Sequence, residues 1–413
     1  MNSQLKIGSN KILNWSFLVE PRFSIYLIAI VINIGSLQVV PGFTQLTFAK
    51  VLIIISTVLL VGKSLHFRQK IHIDLISTLI LSFALFAIPS LVSSKESNYI
   101  LVVLGSFLGY LCLHTVVYNS IVSLSHFKSV LLCYIAGSTI QSLMIIANIY
   151  TNISFDQFNY RPSGSFENAN AAAYVTSLGA IFGLTLIIVM KNMKNNWLLI
   201  GTGICISGLL LTLSRAGYSL FLVAIFILAL YAPNRTRTLI ISSIVLVTVM
   251  AILLSPDATL VIKRLVSLSN PLEDAALQYR LYSIMPAVEL FQGNWLFGIG
   301  YMNYQFFIPR DVMEISSKTI HILLLGIATE MGVICLTIYL TIIYLTIKRL
   351  LSTIKNTKFS DVKFIYVMFL ATIIGQVTFG LTHFSLLNAS FWLTVALAAV
   401  ACKMMPQYKK EIK

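Results

Sequence analysis

The chain has 413 residues, of which 57% are hydrophobic and only 10% charged, against about 25% charged in ordinary soluble domains. That balance excludes a water-soluble protein, and the length is better divided by the ~20 residues that cross a bilayer than by the size of a globular domain. The net charge of +15, from 29 Lys+Arg against 14 Asp+Glu, is not gathered into basic clusters with interleaved aromatics, so no nucleic-acid partner is expected and the charge reads as membrane topology.

At the N-terminus, Lys6, Lys11 and Arg22 surround a short apolar stretch, Ile12 to Val19, without a small-residue cleavage pattern. No removable signal peptide is expected. Apolar runs then predict twelve spans, near 23–40, 46–62, 73–93, 99–117, 129–150, 169–190, 197–213, 216–232, 238–254, 321–347, 364–383 and 385–402. The fold class is all-α, a polytopic helical membrane protein forming one membrane domain over 1–413. With the N-terminus in the cytoplasm, the inside segments hold twenty of the 29 basic residues, and nine of the fourteen acids fall outside. This positive-inside asymmetry predicts both termini in the cytoplasm.

Two external segments are longer than the rest: 151–168, polar and Asn-rich, and 255–320, a large loop between spans nine and ten with Pro256, Pro271, Pro286 and Pro309. Loops of that length usually carry function. No internal repeat of fixed period occurs, which counts against the inverted repeats of many transporters. The five cysteines fall within predicted spans without a C-x-x-C pair and read as small apolar residues. No group of His, Cys and carboxylates has metal-ligand spacing, so neither metal nor cofactor is expected.

Four stretches could carry chemistry. In the first, Tyr160-Arg161-Pro162-Ser163-Gly164-Ser165-Phe166-Glu167-Asn168-Ala169-Asn170 is dense in turn formers and runs into a small-residue helix. Asn168 or Asn170 would cap that helix, whose positive end beside Arg161 suits a phosphate. Equally open is a plain loop end with Arg161 paired to Glu167. The second is Leu213-Ser214-Arg215-Ala216-Gly217, between two spans so short that Arg215, alone among 36 residues in being charged, must sit at or just below the outer surface. It either lines a wet or paired site or snorkels to the headgroups.

The third lies in the large loop, where Tyr279-Arg280-Leu281-Tyr282 opens an amphipathic stretch followed by Trp295-Leu296-Phe297-Gly298-Ile299-Gly300-Tyr301. The Gly-x-Gly pair lacks the third glycine and the context of a dinucleotide fingerprint. It reads as a tight turn seating Trp295, Phe297 and Tyr301 against membrane or sugar. The fourth pairs His321, at the outer mouth of span ten, with Glu330. Nine residues apart on a regular helix, they fall on opposite faces, so no direct dyad is expected, and Glu330 needs a partner or a proton of its own. His383 also lies near the outer surface and reads as a packing residue.

In this order and on one membrane face, the motifs R-P-S-G-S-F-E-N-A-N, L-T-L-S-R-A-G, Y-R-L-Y-S with W-L-F-G-I-G-Y, and H-x8-E-M-G resemble the O-antigen ligase and polymerase superfamily of bacterial membrane glycosyltransferases. The resemblance covers roughly residues 155–345. It implies metal-independent transfer of a glycan from a polyprenyl (undecaprenyl) diphosphate to a sugar acceptor on the external face of the inner (cytoplasmic) membrane, in surface polysaccharide biosynthesis. Ligases take the lipid A core as acceptor, polymerases a growing glycan on another lipid. By resemblance Arg215 and Arg280 hold the diphosphate with Arg161 as a further basic position, and His321 activates the acceptor hydroxyl, with Glu330, Asn170 and Trp295 as supporting residues. One departure is Ile322, where the family often has Asn. The competing function class is a polytopic transporter such as a lipid-linked glycan flippase, against which the missing repeats and the long loop both count.

The topology is tested by cysteine labelling from outside. Cysteines introduced at Asn159 and Ser269 should be modified and those at Asn195 and Asn356 should not; labelling at Asn195 would overturn the twelve-span map.

Overall fold

The structure, a computed structural model, describes residues 20–34, 47–95, 98–151, 161–190, 196–233, 237, 275–308, 319–357 and 360–411. Among them there is no β-strand. The first part of the chain forms α1 (Pro21–Val31), α2 (Phe48–Phe67), α3 (Leu75–Phe86) with its short continuation α4 (Ile88–Val92), α5 (Asn98–Ser120), α6 (Leu124–Thr151), α7 (Ala169–Val189), α8 (Asn196–Leu211) and α9 (Arg215–Tyr231). The second part forms α10 (Ala275–Tyr282), α11 (Ile284–Gly293), the single turn α12 (Tyr304–Phe307), α13 (Leu323–Asn356), α14 (Ser360–Gly380) and α15 (Ala389–Glu411).

Seven described helical stretches are long and apolar enough to cross a membrane, and α1, α8, α9 and the apolar part of α15 are shorter. The chain is an all-α, multi-pass membrane protein. The expected ninth span, 238–254, and the 255–274 and 309–318 parts of the expected large loop lie outside the described residues.

Between helices in lipid there is no hydrophobic driving force, because the surrounding tails are as apolar as leucine, so association rests on close packing and hydrogen bonds. α7 shows the consequence. Its small first turns, Ala169, Ala172 and Ala173, and the rest of the helix as far as Leu186 are almost wholly buried, with α6, α8, α9 and α14 packed around it. Hydroxyls close the remaining distance: Ser138 Oγ donates to the Val175 carbonyl at 3.1 Å and Ser177 Oγ to the Gly217 carbonyl at 3.2 Å. α2, by contrast, presents Ile54, Val58 and Leu65 outward, as a lipid-facing helix should.

The two ends of the bundle differ in charge chemistry. At the end that carries Arg349, Asp74 caps α3 by accepting the Ser77 N–H at 2.9 Å, and the same carboxylate takes His114 Nε2 at 3.0 Å and Arg349 Nη1 at 3.1 Å. One carboxylate thus ties α3, α5 and α13 together. Glu20 holds Arg22 and, at 3.8 Å, Lys63. The opposite end, where His321 lies, is built differently.

There α13 is not one regular helix. Gly332 adopts φ 82°, ψ 173° and interrupts it, leaving Leu323–Met331 as a piece of about 13 Å and the remainder as one of about 36 Å. The expectation of a regular helix running through Glu330 is therefore corrected, since Glu330 sits at the break. Residues 295–304 are laid into it. Val333 N donates to the Trp295 carbonyl at 2.8 Å, Ile299 N to Thr329 at 2.9 Å and Gly300 N to Glu330 at 3.1 Å, while Ser90 Oγ from α4 donates to the Glu330 carbonyl at 2.6 Å. The Glu330 carboxylate lies beside the Met302 and Tyr304 backbone N–H groups.

Two glycines make this approach possible. A Cβ on Gly332 would stand 2.1 Å from the Leu296 carbonyl oxygen, and one on Gly298, at φ 74°, 2.3 Å from the Glu330 carbonyl carbon. Gly332→Ala should therefore lose stability by about 2–4 kcal/mol, the sum of an essentially Gly-only conformation and a backbone clash. Thermal melting of the purified protein checks this, and an unchanged midpoint would refute the stitched break.

Candidate functional site

The His321 end holds a cavity of about 670 Å³ between the start of α2, the middle of α5, the first turns of α7, the link 381–388 and the loop ahead of α13. Its lining combines apolar Val31, Ile32, Ile53, Val102 and Val175 with polar Lys50, Asn168, Thr319, His321, His383 and Asn388. Among the described lining residues there is no carboxylate.

Helix starts add to this electropositive character. Asn168 caps α7, its side chain accepting the Asn170 N–H at 2.7 Å, and Asn388 does the same for Ser390 at 3.0 Å at the start of α15. Both caps line the cavity, so the partial positive ends of two long helices open on it. The α9 start stands beside the first: Ser214 caps it through the Gly217 N–H at 3.2 Å and donates its own hydroxyl to Asn170 Oδ1 at 2.7 Å. Two sequence motifs 44 residues apart thus meet through Asn170 and Ser214.

Arg161 leads a turn fixed to α6, where Gln141 Nε2 donates to the Ser163 carbonyl at 2.8 Å and Gln141 Oε1 accepts the Ser165 N–H at 3.2 Å. Arg280 ends α10. The next turn is anchored by Ser283 Oγ donating to the Arg280 carbonyl at 2.7 Å and by Tyr304 Oη donating to the Ser283 carbonyl at 3.0 Å. Thr329 Oγ1 then binds α11 to α13 at 3.0 Å through the Ala287 carbonyl.

Burial first, and then the Arg280 charge, push the His321 imidazole down to about 4. His383 is pushed down to about 3 by burial, by His321, and by the charges of Arg280 and Arg161. Both rings are consequently neutral at physiological pH.

The charge of Arg280 reaches His321 and His383 and that of Arg161 reaches His383, though neither arginine is among the lining residues of the cavity. Arg215, at the first position of α9, adjoins it through Ser214 and Asn170 without lining the cavity. Glu330 and Trp295 do not line it either: Glu330 is 4% exposed within the α13 break, and Trp295 is 56% exposed on the stitching loop. Of the three aromatics that the Gly-x-Gly turn was expected to seat, Trp295 and Phe297 stand exposed, and Tyr301 is buried and reaches the cavity wall.

The residue that sequence reasoning set aside is His383. Its expected place inside a span is corrected, because α14 ends at Gly380 and the chain turns through 381–388 before α15. Tyr110 Oη donates to the Leu387 carbonyl at 2.6 Å and Trp392 Nε1 to the Leu386 carbonyl at 3.1 Å, with the two rings stacked at 5.4 Å. Held by this link, His383 lies nearly parallel to His321, their ring centroids 6.3 Å apart.

The neutral imidazoles can be checked by nuclear magnetic resonance on ¹⁵N-histidine-labelled full-length protein. Of the six histidines, two should titrate far below the usual value of about 6.5, and Arg280→Gln should raise both midpoints by removing a charge that opposes protonation. His321 titrating near 6.5 would contradict its buried, cation-flanked setting.

In comparison with known proteins, residues 200–340 match the family model described as O-antigen ligase. No curated protein matches the chain. The matched segment contains Arg215, Arg280, Trp295, His321 and Glu330, and its resemblance to the O-antigen ligase superfamily indicates ligase- or polymerase-type function in polysaccharide biosynthesis, with lipid-linked glycan and polysaccharide substrates.

Proposed function

We propose that the cavity binds a polyprenyl-diphosphate-linked glycan and that the protein transfers this glycan to a sugar hydroxyl, with the His321 end facing the outside of a bacterial inner membrane and both termini in the cytoplasm. The observation that carries the reading is a cavity lined by His321, His383 and two helix starts together with apolar side chains, with the charges of Arg280 and Arg161 acting on its histidines. A lipid diphosphate sugar has matching parts: an apolar chain, a polyanion and a polyhydroxyl group.

The chemistry asks little of the protein beyond placement and charge. Diphosphate is already a good leaving group, and guanidinium groups offset the negative charge that develops on it with forked hydrogen bonds. Arg280 and Arg161 are set for that role, and Arg215 extends the positive surface from the neighbouring helix start. The acceptor oxygen attacks the anomeric carbon, the carbon–oxygen bond to the diphosphate breaks, and the electron pair leaves with the diphosphate. His321, neutral in this site, takes the hydroxyl proton. The apolar side chains of Ile32, Ile53 and Val102 suit the first prenyl units. In this reading the guanidinium charge makes a bound metal ion unnecessary.

Single-turnover transfer by purified protein tests the reading, with lipid A core and lipid-linked repeat units offered separately as acceptors. Arg280→Ala and Arg215→Lys should impair transfer, the lysine because it keeps the charge and loses the fork. His321→Ala should lose about 10²- to 10⁴-fold with donor binding unchanged, and His321→Gln, which holds a hydroxyl but does not take its proton, should stay low. Near-normal turnover in both arginine variants, or loss of activity with a chelator, would remove the arginines as the account of leaving-group stabilisation. High activity of the glutamine variant would make His321 a positioning residue.

A further inference from the structure

His321 and His383 reach the same cavity from opposite ends of the α13–α14 hairpin, and the details of His383 are those of a working group. Its ring is wedged edge-on against Phe379 at 5.2 Å, and its link is pinned by Tyr110 and Trp392. Nδ1 is buried with no hydrogen-bond partner among the described residues. A proton on Nδ1 would be a buried orphan donor, whereas an orphan lone pair is better tolerated. The proton therefore belongs on Nε2, and the Nε2 edge is the one left to line the cavity.

Two neutral imidazoles then face one space. Their 6.3 Å centroid separation is too large for ring contact and is compatible with a single oxygen held between the two rings. Resting on the glycan-transfer reading above, we propose that His383 is a second catalytic histidine that touches the acceptor: its Nε2–H donates to the attacking hydroxyl oxygen and holds it for His321. In the transfer step the new bond joins that oxygen to the anomeric carbon and the diphosphate leaves with its electron pair. The hydroxyl proton passes to His321, and His383 keeps its own.

The division of labour is chemical. A hydroxyl needs one partner that accepts its proton and another that fixes its oxygen, and two imidazoles of opposite hydrogen-bond polarity supply both. Lys50, on the same lining, could hold an oxygen too, but its charge would pair first with the diphosphate. A neutral N–H does not compete for the anion in that way.

The test uses purified full-length protein, a polyprenyl-diphosphate-linked glycan as donor and varied acceptor concentration, with donor affinity measured separately. His383→Phe keeps a ring against Phe379 and loses both nitrogens. It should lower kcat/KM for the acceptor by about 10- to 100-fold and leave donor affinity within about twofold. His383→Gln carries an amide N–H near the Nε2 position and should recover most of the loss, while His383→Asn, whose amide falls at the Nδ1 position, should not. Recovery by Gln and not by Asn is a pattern that a packing role would not give, and it keeps the question decidable if the Phe variant fails to fold. A Phe variant within twofold of the parent, a Gln variant no better than Asn, or donor affinity falling in step with transfer would each overturn the assignment. Parent protein that makes no product from this donor would remove the transfer reading itself, whereas normal transfer with indifferent His383 variants would remove His383 alone.

Discussion

A helix interrupted in a membrane protein must find partners for the N–H and carbonyl groups it releases, because hydrocarbon offers none. The break at Gly332 meets that demand with the backbone of residues 295–304, and much of the His321 end follows from the solution. The stitching segment carries Tyr301 to the cavity wall and sets its Met302 and Tyr304 N–H groups beside Glu330. It also fixes α4, with Tyr301 N donating to the Ser90 carbonyl at 3.3 Å, and it binds Thr329, whose hydroxyl seats the α10–α11 corner through Ala287. Because the break separates Leu323–Met331 from the longer span, His321 stands on a short, well-tied segment at the mouth of the cavity. A glycine and an internal carboxylate are thus structural conditions for where the chemistry is placed.

Charge at the two ends follows opposite logics. Around Asp74 the cations are matched by a carboxylate, so the cluster is locked and tends toward neutrality. Around the cavity the Arg280 charge acts on both imidazoles and the Arg161 charge on His383, and the described lining holds no carboxylate. Burial and these charges together lower the basicity of both histidines. In the proposed reaction, an anion set against the two guanidinium groups would offset their charge and make the imidazoles better proton acceptors.

Hydropathy was enough to read an all-α, multi-pass membrane protein, since the long described helices are apolar runs. The capped start of α7 was equally legible, because Asn before Ala-Asn-Ala-Ala-Ala is a local signal. The break in α13 was not. Glu-Met-Gly reads as ordinary helix until another stretch of chain is laid against it, and the residues that do so are more than 25 positions away. The Asp74 cluster escaped for the same reason: His114 and Arg349 are 40 and 275 residues from the carboxylate, and nothing in their local sequence announces a common partner.

His383 is a different case, because its position follows from topology alone. α13 leaves the cavity end, and α14 must return to it across the same thickness, so the residues just before the first helix and just after the second are neighbours whatever their separation in sequence. His321 and His383 occupy those two places. Read only against its neighbours Thr382 and Phe384, His383 is a ring at the end of an apolar run, and packing is the natural interpretation. Read against the hairpin, it is the second imidazole at the mouth of a cavity whose first is already in view. Where two spans form a hairpin, polar residues at its open end are best weighed together, since the membrane fixes their distance more firmly than the sequence between them suggests.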